Sequence, residues 1–386
     1  MLGREPRRGF SIDTAAAKAR VIKLGQDNGL EIDPDAFVDD LPVGIQQRVE
    51  LLRELEREPS VLLLDEPTAA LAPAEIDTFF ASIVNLAQRG TAILIVTHKL
   101  QEVINYTART TVMRHGKIVG STLTGATTVD AIARMMVGGE VPPLAQRAVT
   151  QTRPCLTVRN FSAGSGSNRV TDVSFEVRGG EIVGVAGVEG NGQSPLADSI
   201  AGVASYEGTI EIAAEKKRPG VIPQDRQREA LVMPWSIVEN TMFGRQHDAG
   251  VRKGMLLDRV AARADAQTIV DALDVRAASL DVPLKTLSGG NQQKIVVGRA
   301  LLGDPDLVLA YQPTRGVDVG AAALVQSRLM EARNRGAAVL LVSFELDEIL
   351  ALADRILVMF RGAIVGSFER EQADRAEIGR LMAGSK

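Results

Sequence analysis

The chain has 386 residues, of which 45% are hydrophobic and 24% are charged, and its formal net charge is −4. This length allows two domains with cores of their own, and the acidic balance does not favour nucleic acid or an anionic membrane surface as a partner. Cys155 is the only cysteine, which excludes an intrachain disulfide and fits a reducing cytoplasm.

No apolar run approaches the ~20 residues that cross a bilayer, so we expect no transmembrane segment in this sequence. The N-terminus is charged and lacks the apolar stretch of a secretory signal. If the protein serves a membrane, we expect it to do so through a partner protein.

The first long pattern in chain order, residues 41–71, recurs without a gap at residues 287–317, an offset of 246 positions. The same offset relates Asp65 to Tyr311. Self-similarity at a domain-sized period predicts two copies of one domain. The copies keep the same frame but differ in their reactive side chains, so we expect two unequal sites.

Short, wholly apolar runs alternate with stretches of helical spacing in both copies. Such runs are typical of buried parallel strands, and the alternation predicts an α/β sandwich around a mostly parallel sheet. In such a sheet the chemistry lies at the carboxyl ends of the strands. The predicted strands are residues 60–64, 91–97, 181–186, 306–310 and 337–343, and the predicted helices are residues 45–58, 196–201 and 291–302.

Two acids, Asp65 and Glu66, follow the first of these strands directly. Asp65 has the position of a Mg²⁺ ligand, because Mg²⁺ prefers one or two carboxylates together with phosphate. Glu66 has the position of a general base that polarises an attacking water. His98 follows the next strand and is placed to contact a γ-phosphate and that water. A solvated acidic turn and a structural histidine are the alternatives. The second copy has different side chains at the three positions: Tyr311, Gln312 and Phe344.

Residues 1–139 are predicted to form the first copy and residues 155–386 the second. Residues 140–154, EVPPLAQRAVTQTRP, are polar and bounded by prolines, as a linker is. The second copy has about 130 residues ahead of its LSGG stretch, whereas the first has 40 residues ahead of Leu41. We therefore expect the first copy to lack its N-terminal part.

A glycine-rich stretch, residues 187–194, follows a predicted strand and precedes a predicted helix. Its spacing is that of a phosphate-binding P-loop, in which glycines let backbone N–H groups surround phosphate oxygens. A lysine normally adds a positive charge to this loop, but here Gln193 has its place. A plain strand-to-helix turn is the alternative. The predicted nucleotide-binding residues of this degenerate P-loop are Gly187, Gly190, Asn191, Gly192, Gln193 and Ser194.

A second anion-binding candidate is the signature stretch Ser288, Gly289, Gly290 and Asn291, which opens a predicted helix. Ser288 is a candidate N-cap, and the two glycines let backbone N–H groups approach an anion. A simple capped helix start is the alternative. The first copy has Pro42 in place of the serine, and proline has no N–H to donate.

Gln224 precedes a segment rich in Met and Trp, residues 231–236. A glutamine at this place could bind Mg²⁺ and contact a partner. A surface loop is the alternative, and the sequence leaves both interpretations open.

These motifs occur in the order found in ATP-binding cassettes: the P-loop-like stretch, Gln224, LSGGNQQK at 287–294, LLLDEPT at 62–68 and the turn with His98. The chain resembles the ATP-binding subunit of an ABC importer with two cassettes in one polypeptide. The passages LPVGIQQRVE, IPQDRQR and AYQPTRGVDVGA are similar to the simple-sugar group and its nucleoside-uptake relatives. This resemblance implies an α/β fold of tandem P-loop NTPase-type cassettes, with ATP and Mg²⁺ as cofactors and hydrolysis coupled to uptake of a sugar or nucleoside.

The resemblance also implies partners, namely integral membrane permease subunits and an extracytoplasmic solute-binding protein, with no nucleic acid. It places the chain at the cytoplasmic face of the plasma membrane. In this family each ATP lies between the P-loop and acids of one cassette and the signature of the other. One competent site would then combine Asp65, Glu66 and His98 with the stretch from Ser288 to Asn291. The other site, with the degenerate P-loop, would be at best a nucleotide clamp.

The family pattern further implies a first P-loop ahead of residue 1, so we expect an N-terminally truncated gene product or gene model. An in-frame G-x-x-x-x-G-K-[ST] about 55 codons upstream of Met1 would support this expectation. The strands of the first copy are then expected to expose unpaired edges and apolar faces. The alternative functions are a vestigial cassette protein without ATPase activity and a soluble tandem-cassette translation factor acting on ribosomes.

Overall fold

The computed structural model describes residues 4–38, 41, 43–68, 71, 73–114, 116–139, 147, 152–213, 218–245, 249–253 and 256–384. The chain divides into two compact units. The first unit comprises Met1–Val112 and Gly120–Ile132, and the second comprises Met113–Val119 and Ala133–Lys386. Pro42 and most of the predicted linker lie outside the described residues. The domain boundaries at 139 and 155 therefore stay predictions.

Strands and helices alternate along both units. The strands are β1 (Arg7–Arg8), β2 (Ser11–Ile12), β3 (Val61–Asp65), β4 (Ala92–Val96), β5 (Arg109–Arg114), β6 (Lys117–Leu123), β7 (Pro154–Ala163), β8 (Val170–Arg178), β9 (Ile182–Ala186), β10 (Glu207–Ile212), β11 (Gly220–Ile222), β12 (Arg252–Lys253), β13 (Leu256–Leu257), β14 (Leu307–Tyr311), β15 (Ala338–Ser343), β16 (Arg355–Phe360) and β17 (Ala363–Glu369). The helices are α1 (Thr14–Asn28), α2 (Val43–Leu55), α3 (Pro73–Gln88), α4 (Leu100–Tyr106), α5 (Val129–Val137), α6 (Gln193–Ile200), α7 (Ile237–Met242), α8 (Arg259–Ala272), α9 (Gly289–Leu301), α10 (Val319–Asn334), α11 (Leu346–Leu352) and α12 (Arg375–Met382). Across these described ranges, the structure has no helix with the length and apolar character that a bilayer crossing requires.

The second unit is built on a six-stranded sheet in the order β11-β14-β15-β9-β16-β17, in which every pair is parallel except β16 with β17. All residues of β9, β14 and β15 are buried, because both faces of the sheet are covered. Helices α7 to α12 pack on one face. Helix α6 and a three-stranded antiparallel sheet, β10-β7-β8, pack on the other. The predicted α/β architecture with a mostly parallel sheet is confirmed.

In the first unit, β3 and β4 pair in parallel, and one face of this pair packs on helices. The buried apolar side chains of that core are Leu30, Leu51, Leu52, Leu55, Leu62, Phe79, Phe80, Ile83 and Leu86. The opposite face carries Leu63 and Leu94, which are 70% and 58% exposed. Their repeat counterparts, Leu309 and Leu340, are 2% and 0% exposed beneath α6 and the β10-β7-β8 sheet. The expectation that the first copy exposes an apolar strand face is confirmed.

The repeat extends ahead of residue 41. A two-stranded hairpin, β1–β2 or β12–β13, precedes a long helix in each unit. Asp13 caps α1 by accepting a hydrogen bond from the Ala16 N–H, at 2.9 Å. Asp258 caps α8 by accepting from the Val260 and Ala261 N–H groups, at 2.9 and 3.0 Å. Because an aspartate at the N-cap satisfies helix N–H groups that have no partner within the helix, both copies begin this helix by the same device.

One predicted helix end is wrong. The helix expected at residues 45–58 is α2, which ends at Leu55. Glu58 has a φ of 50°, and a residue in the left-handed region does not continue a right-handed helix. Asp304, its repeat counterpart, has a φ of 53°. The apolar spacing carried no signal for this turn.

Candidate active site

The carboxyl ends of β3 and β4 bring Glu66 and His98 together. These strands are neighbours and run parallel, so residues that follow them meet at one edge of the sheet. The Nδ1 atom of His98 lies 2.8 Å from Oε1 of Glu66. Glu66 has a φ of 43°, and its N–H donates to the carbonyl of Val96 at 2.8 Å, which fixes the turn after β3. The predicted proximity of the acid and the histidine is therefore present in the fold.

Asp65 is the last residue of β3 and is exposed beside this pair. The described part of the chain contains no cluster of three or more His, Cys, Asp or Glu side chains that could hold a metal ion. Mg²⁺, however, is usually bound by one or two carboxylates together with substrate phosphate oxygens and water. The exposed carboxylates of Asp65 and Glu66 fit that mode of binding.

The second unit keeps the same turn with different side chains. Gln312 has a φ of 51°, and its N–H donates to the carbonyl of Val342 at 2.8 Å. Tyr311 is buried, and its ring meets that of Phe344 edge to face, with centroids 6.2 Å apart. An amide and two aromatic rings thus occupy the positions of the acids and the histidine, and they offer neither a carboxylate nor a base.

Two further interactions support this turn in both units. The Gln47 amide donates to the Pro67 carbonyl, and the Gln293 amide donates to the Pro313 carbonyl at 2.6 Å. The hydroxyl of Thr68 donates to buried Glu102, as the hydroxyl of Thr314 donates to buried Glu348 at 2.9 Å. Sequence reasoning missed these supports. The repeat could have revealed them, because each of these four residues recurs as the same residue type 246 positions later.

Glu348 makes the stability of the second unit depend on pH, and we expect the variant Glu348→Gln to remove this dependence. Burial raises the pKa of the Glu348 carboxyl above its usual range. Its contribution to stability is therefore fully present below the unfolded pKa of about 4.3 and is lost as pH rises through the folded pKa. The amide of the variant still accepts from Thr314 but does not ionise. We expect the variant to be more stable than the wild type at about pH 8, by on the order of 1 kcal/mol, and to match it near pH 4.

Urea unfolding followed by the fluorescence of Trp235, the only tryptophan, measures this difference. Glu371→Gln makes the same chemical change at an exposed position and serves as the control. A difference that did not vary with pH would contradict the assignment to Glu348.

The glycine-rich stretch forms the turn between β9 and α6. Gly190 and Gly192 have φ values of 90° and 100°, which favour glycine. Four of the predicted P-loop residues, Gly187, Gly190, Asn191 and Gly192, belong to this turn, and the other two, Gln193 and Ser194, are the first residues of α6. The Gln224 amide donates to the Glu189 carboxylate at 3.2 Å, so Gln224 lies beside the loop.

The signature residues begin α9. Ser288 is its N-cap, and its Oγ accepts from the side-chain amide of Asn291 at 3.0 Å. A side chain at Gly289 would come within 2.7 Å of the Arg226 guanidinium. Arg226 also donates to the carbonyl of Arg315 at 2.9 Å, which holds the guanidinium beside the helix start. Sequence reasoning missed this cation, which adds a positive charge where an anion would meet the first N–H groups of α9.

One cavity of the second unit has a volume of ≈ 900 Å³. It lies between the end of α6, the edge strand β11 and the end of α9. Its lining includes Asp198, Ile222 and Arg299 but none of the predicted site residues. The predicted chemistry is therefore not located in this cavity.

Comparison with known proteins identifies relatives along the whole chain. The ABC transporter family matches residues 170–315. The nucleoside import ATP-binding protein NupA of Lactococcus lactis subsp. cremoris is 39% identical, over 100% of this chain and 79% of that protein. The guanosine import ATP-binding protein NupO of Bacillus subtilis is 38% identical, over 100% of this chain and 78% of that protein. The glucose import ATP-binding protein TsgD13 of Haloferax volcanii is 40% identical, over 97% of this chain and 71% of that protein.

A solved structure has a similar fold over most of this chain. The archaeal ribosome recycling factor aABCE1, in complex with the ribosomal stalk protein aP1, matches with a TM-score of 0.68 and 19% identity. The match covers 95% of this chain and 70% of that chain, and at this identity it shows the fold alone. The import proteins, by contrast, are similar in sequence over nearly the whole chain. The chain therefore belongs to the ATP-binding proteins of ABC importers, in the sugar and nucleoside import group of this family of ATP-hydrolysing transport ATPases.

Proposed function

We propose that this protein hydrolyses ATP at the first copy and couples that hydrolysis to the uptake of a simple sugar or a nucleoside. The observation that carries the proposal is the pair formed by Glu66 and His98, 2.8 Å apart at the ends of two neighbouring parallel strands. The names of the relatives support the class of solute, because they describe import of nucleosides, guanosine and glucose.

The residues of the first copy have separate roles in this proposal. Glu66 accepts a proton from the attacking water, and His98 orients that water and contacts the γ-phosphate. Asp65 would hold Mg²⁺, which when bound would offset the charge of the phosphates. In the second unit, Ser288, Gly289, Gly290 and Asn291 donate hydrogen bonds to nucleotide phosphate. The turn with Tyr311 and Gln312 does not hydrolyse ATP.

The partners in this proposal are integral membrane permease subunits and an extracytoplasmic solute-binding protein. The chain would be a peripheral protein at the cytoplasmic face of the plasma membrane. The support is again the names of the relatives, each of which is the ATP-binding protein of an import system.

Co-expression with the permease subunits of a sugar or nucleoside importer tests the proposal. We expect the chain to co-purify with them from membranes and to support uptake of radiolabelled ribose, glucose or guanosine into right-side-out or reconstituted vesicles that contain ATP in the lumen. Sedimentation with ribosomes in place of membranes would favour the tandem-cassette translation factor instead. Co-purification without uptake or ATP turnover would favour a vestigial cassette protein.

A further inference from the structure

The glycine-rich loop of the second unit has the backbone shape of a phosphate cradle. It joins a buried central strand, β9, to the N-terminus of α6. In a working P-loop the backbone N–H groups of this turn are the donors that meet the phosphate oxygens, and a lysine adds positive charge.

Two of the N–H donors are bonded to side chains of this chain. The Asn191 N–H donates to Oε1 of Gln193 at 3.1 Å, and the Gly192 N–H donates to Oδ1 of Asn168 at 3.0 Å. The Gln193 amide also donates to the Val188 carbonyl at 3.1 Å, which folds its side chain back along the loop. The side chains of Gln193 and Asn168 therefore make the hydrogen bonds that a phosphate would make.

The position of Gln193 leaves little room inside the turn. Its side chain is buried, with 1% of its surface exposed. A Cβ atom placed on Gly187 would lie 2.4 Å from Nε2 of Gln193, so this amide rests against the first glycine of the loop. Glutamine, unlike lysine, carries no charge to attract a phosphate. The Gln193 side chain thus fills the turn, and the loop has no positive charge at the position of the usual lysine.

The residues that would hold Mg²⁺ do not fit the ion either. The Ser194 hydroxyl, which has the position of the P-loop ligand, lies 2.8 Å from the hydroxyl of Tyr311. Tyr311 has the position of the metal-binding aspartate, and burial raises its pKa to about 12. It is therefore a neutral phenol at neutral pH, whereas Mg²⁺ prefers carboxylate oxygens. The one carboxylate in the loop, Glu189, is paired with the Gln224 amide.

We propose that the second P-loop is closed by its own side chains, Gln193 and Asn168, and that it does not bind Mg²⁺-ATP. The N–H groups of Asn191 and Gly192 are bonded without an anion, so this part of the turn keeps its shape when no nucleotide is present. This inference makes the proposed inequality of the two copies more specific. It does not rest on hydrolysis at Glu66, because it concerns binding at a different loop.

Photolabelling of the full-length chain with 8-azido-ATP and Mg²⁺, followed by peptide mapping, tests the closure. In the wild type, we expect the peptide with residues 187–194 to carry no specific label. Its labelling should be the same with and without an excess of unlabelled ATP. The variant Gln193→Lys with Asn168→Ala frees both N–H groups and adds a charge. We expect it to raise specific labelling of this peptide by about tenfold or more. Adding Tyr311→Asp should make the labelling depend on Mg²⁺.

Gln267→Lys makes the same substitution on an exposed face of α8 and should leave the labelling unchanged. Trp235 fluorescence in urea shows whether each variant is folded. Strong labelling of the wild-type loop that Mg²⁺ promotes would overturn the proposal, and so would equal labelling of wild type and the double variant.

Hydrogen exchange on the wild type gives a second test that needs no variant. The amides of Asn191 and Gly192 should be protected without nucleotide, and Mg²⁺-ATP should not protect them further. An increase in protection of more than about tenfold on adding Mg²⁺-ATP would also overturn the proposal. Failure of the importer function would leave both of these results unaffected, so the two proposals are tested separately.

Discussion

Glu66→Gln is expected to lower ATP turnover by about 10²–10⁴-fold, the range that a positioned general base contributes. The amide keeps the size of the side chain and a hydrogen-bonding oxygen, but it cannot accept the proton of the attacking water. The 2.8 Å contact with His98 indicates that the substitution changes the base and leaves the turn in place. Initial rates of phosphate release, measured with the permease complex under conditions in which the wild type is active, give the effect.

The repeat supplies a matched control, Gln312→Ala. Gln312 has the same backbone turn and the same place after its strand, but it is already an amide. It is also 5% exposed, and its Nε2 atom has no hydrogen-bond partner among the described residues, so its removal breaks no hydrogen bond of that nitrogen. We expect turnover to change less than about threefold, since this residue has no part in proton transfer. Equal losses from the two variants would contradict the assignment of hydrolysis to the first copy.

The second large expected effect is on stability, and it comes from a leucine on the buried strand face of the second unit. Leu340→Ala is expected to lower the free energy of unfolding of the second unit by about 2–5 kcal/mol, because it removes buried methyl groups and leaves a cavity. Its side chain is fully buried between β15 and the layer formed by α6 and the β10-β7-β8 sheet. Urea unfolding monitored through Trp235, which belongs to the same unit, measures the loss.

Leu94→Ala is the control, because Leu94 is the same residue type at the matching position of the repeat. It is 58% exposed, so we expect a change within about 0.5 kcal/mol, measured by hydrogen exchange of the β3 and β4 amides. The exposed face should also make the wild-type chain prone to association, and Leu63→Ser with Leu94→Ser should increase its soluble fraction. A loss at Leu94 as large as that at Leu340 would show that this face is buried in the protein in solution.

The sequence determined the repeat, the strand and helix pattern, and the residues that follow the strands. Asp65, Glu66 and His98 were predictable because a parallel pair of strands always brings its carboxyl ends to one edge. The absence of the acids from the second copy was also predictable from the sequence, because aligning the two copies places Gln312 opposite Glu66. The boundary of α2 was not, because the left-handed turn at Glu58 has no signature in the apolar spacing.

Only the tertiary structure decided which groups meet across long sequence separations. It placed Asn168 against Gly192, Arg226 against Gly289 and Tyr311 against Ser194. It also showed that Leu63 and Leu94 are exposed while their counterparts in the second unit are buried. The physical reason is the same in each case. A residue's type and spacing set its local conformation, whereas burial and hydrogen-bond partners depend on which other segments pack against it, and these segments differ between the two copies.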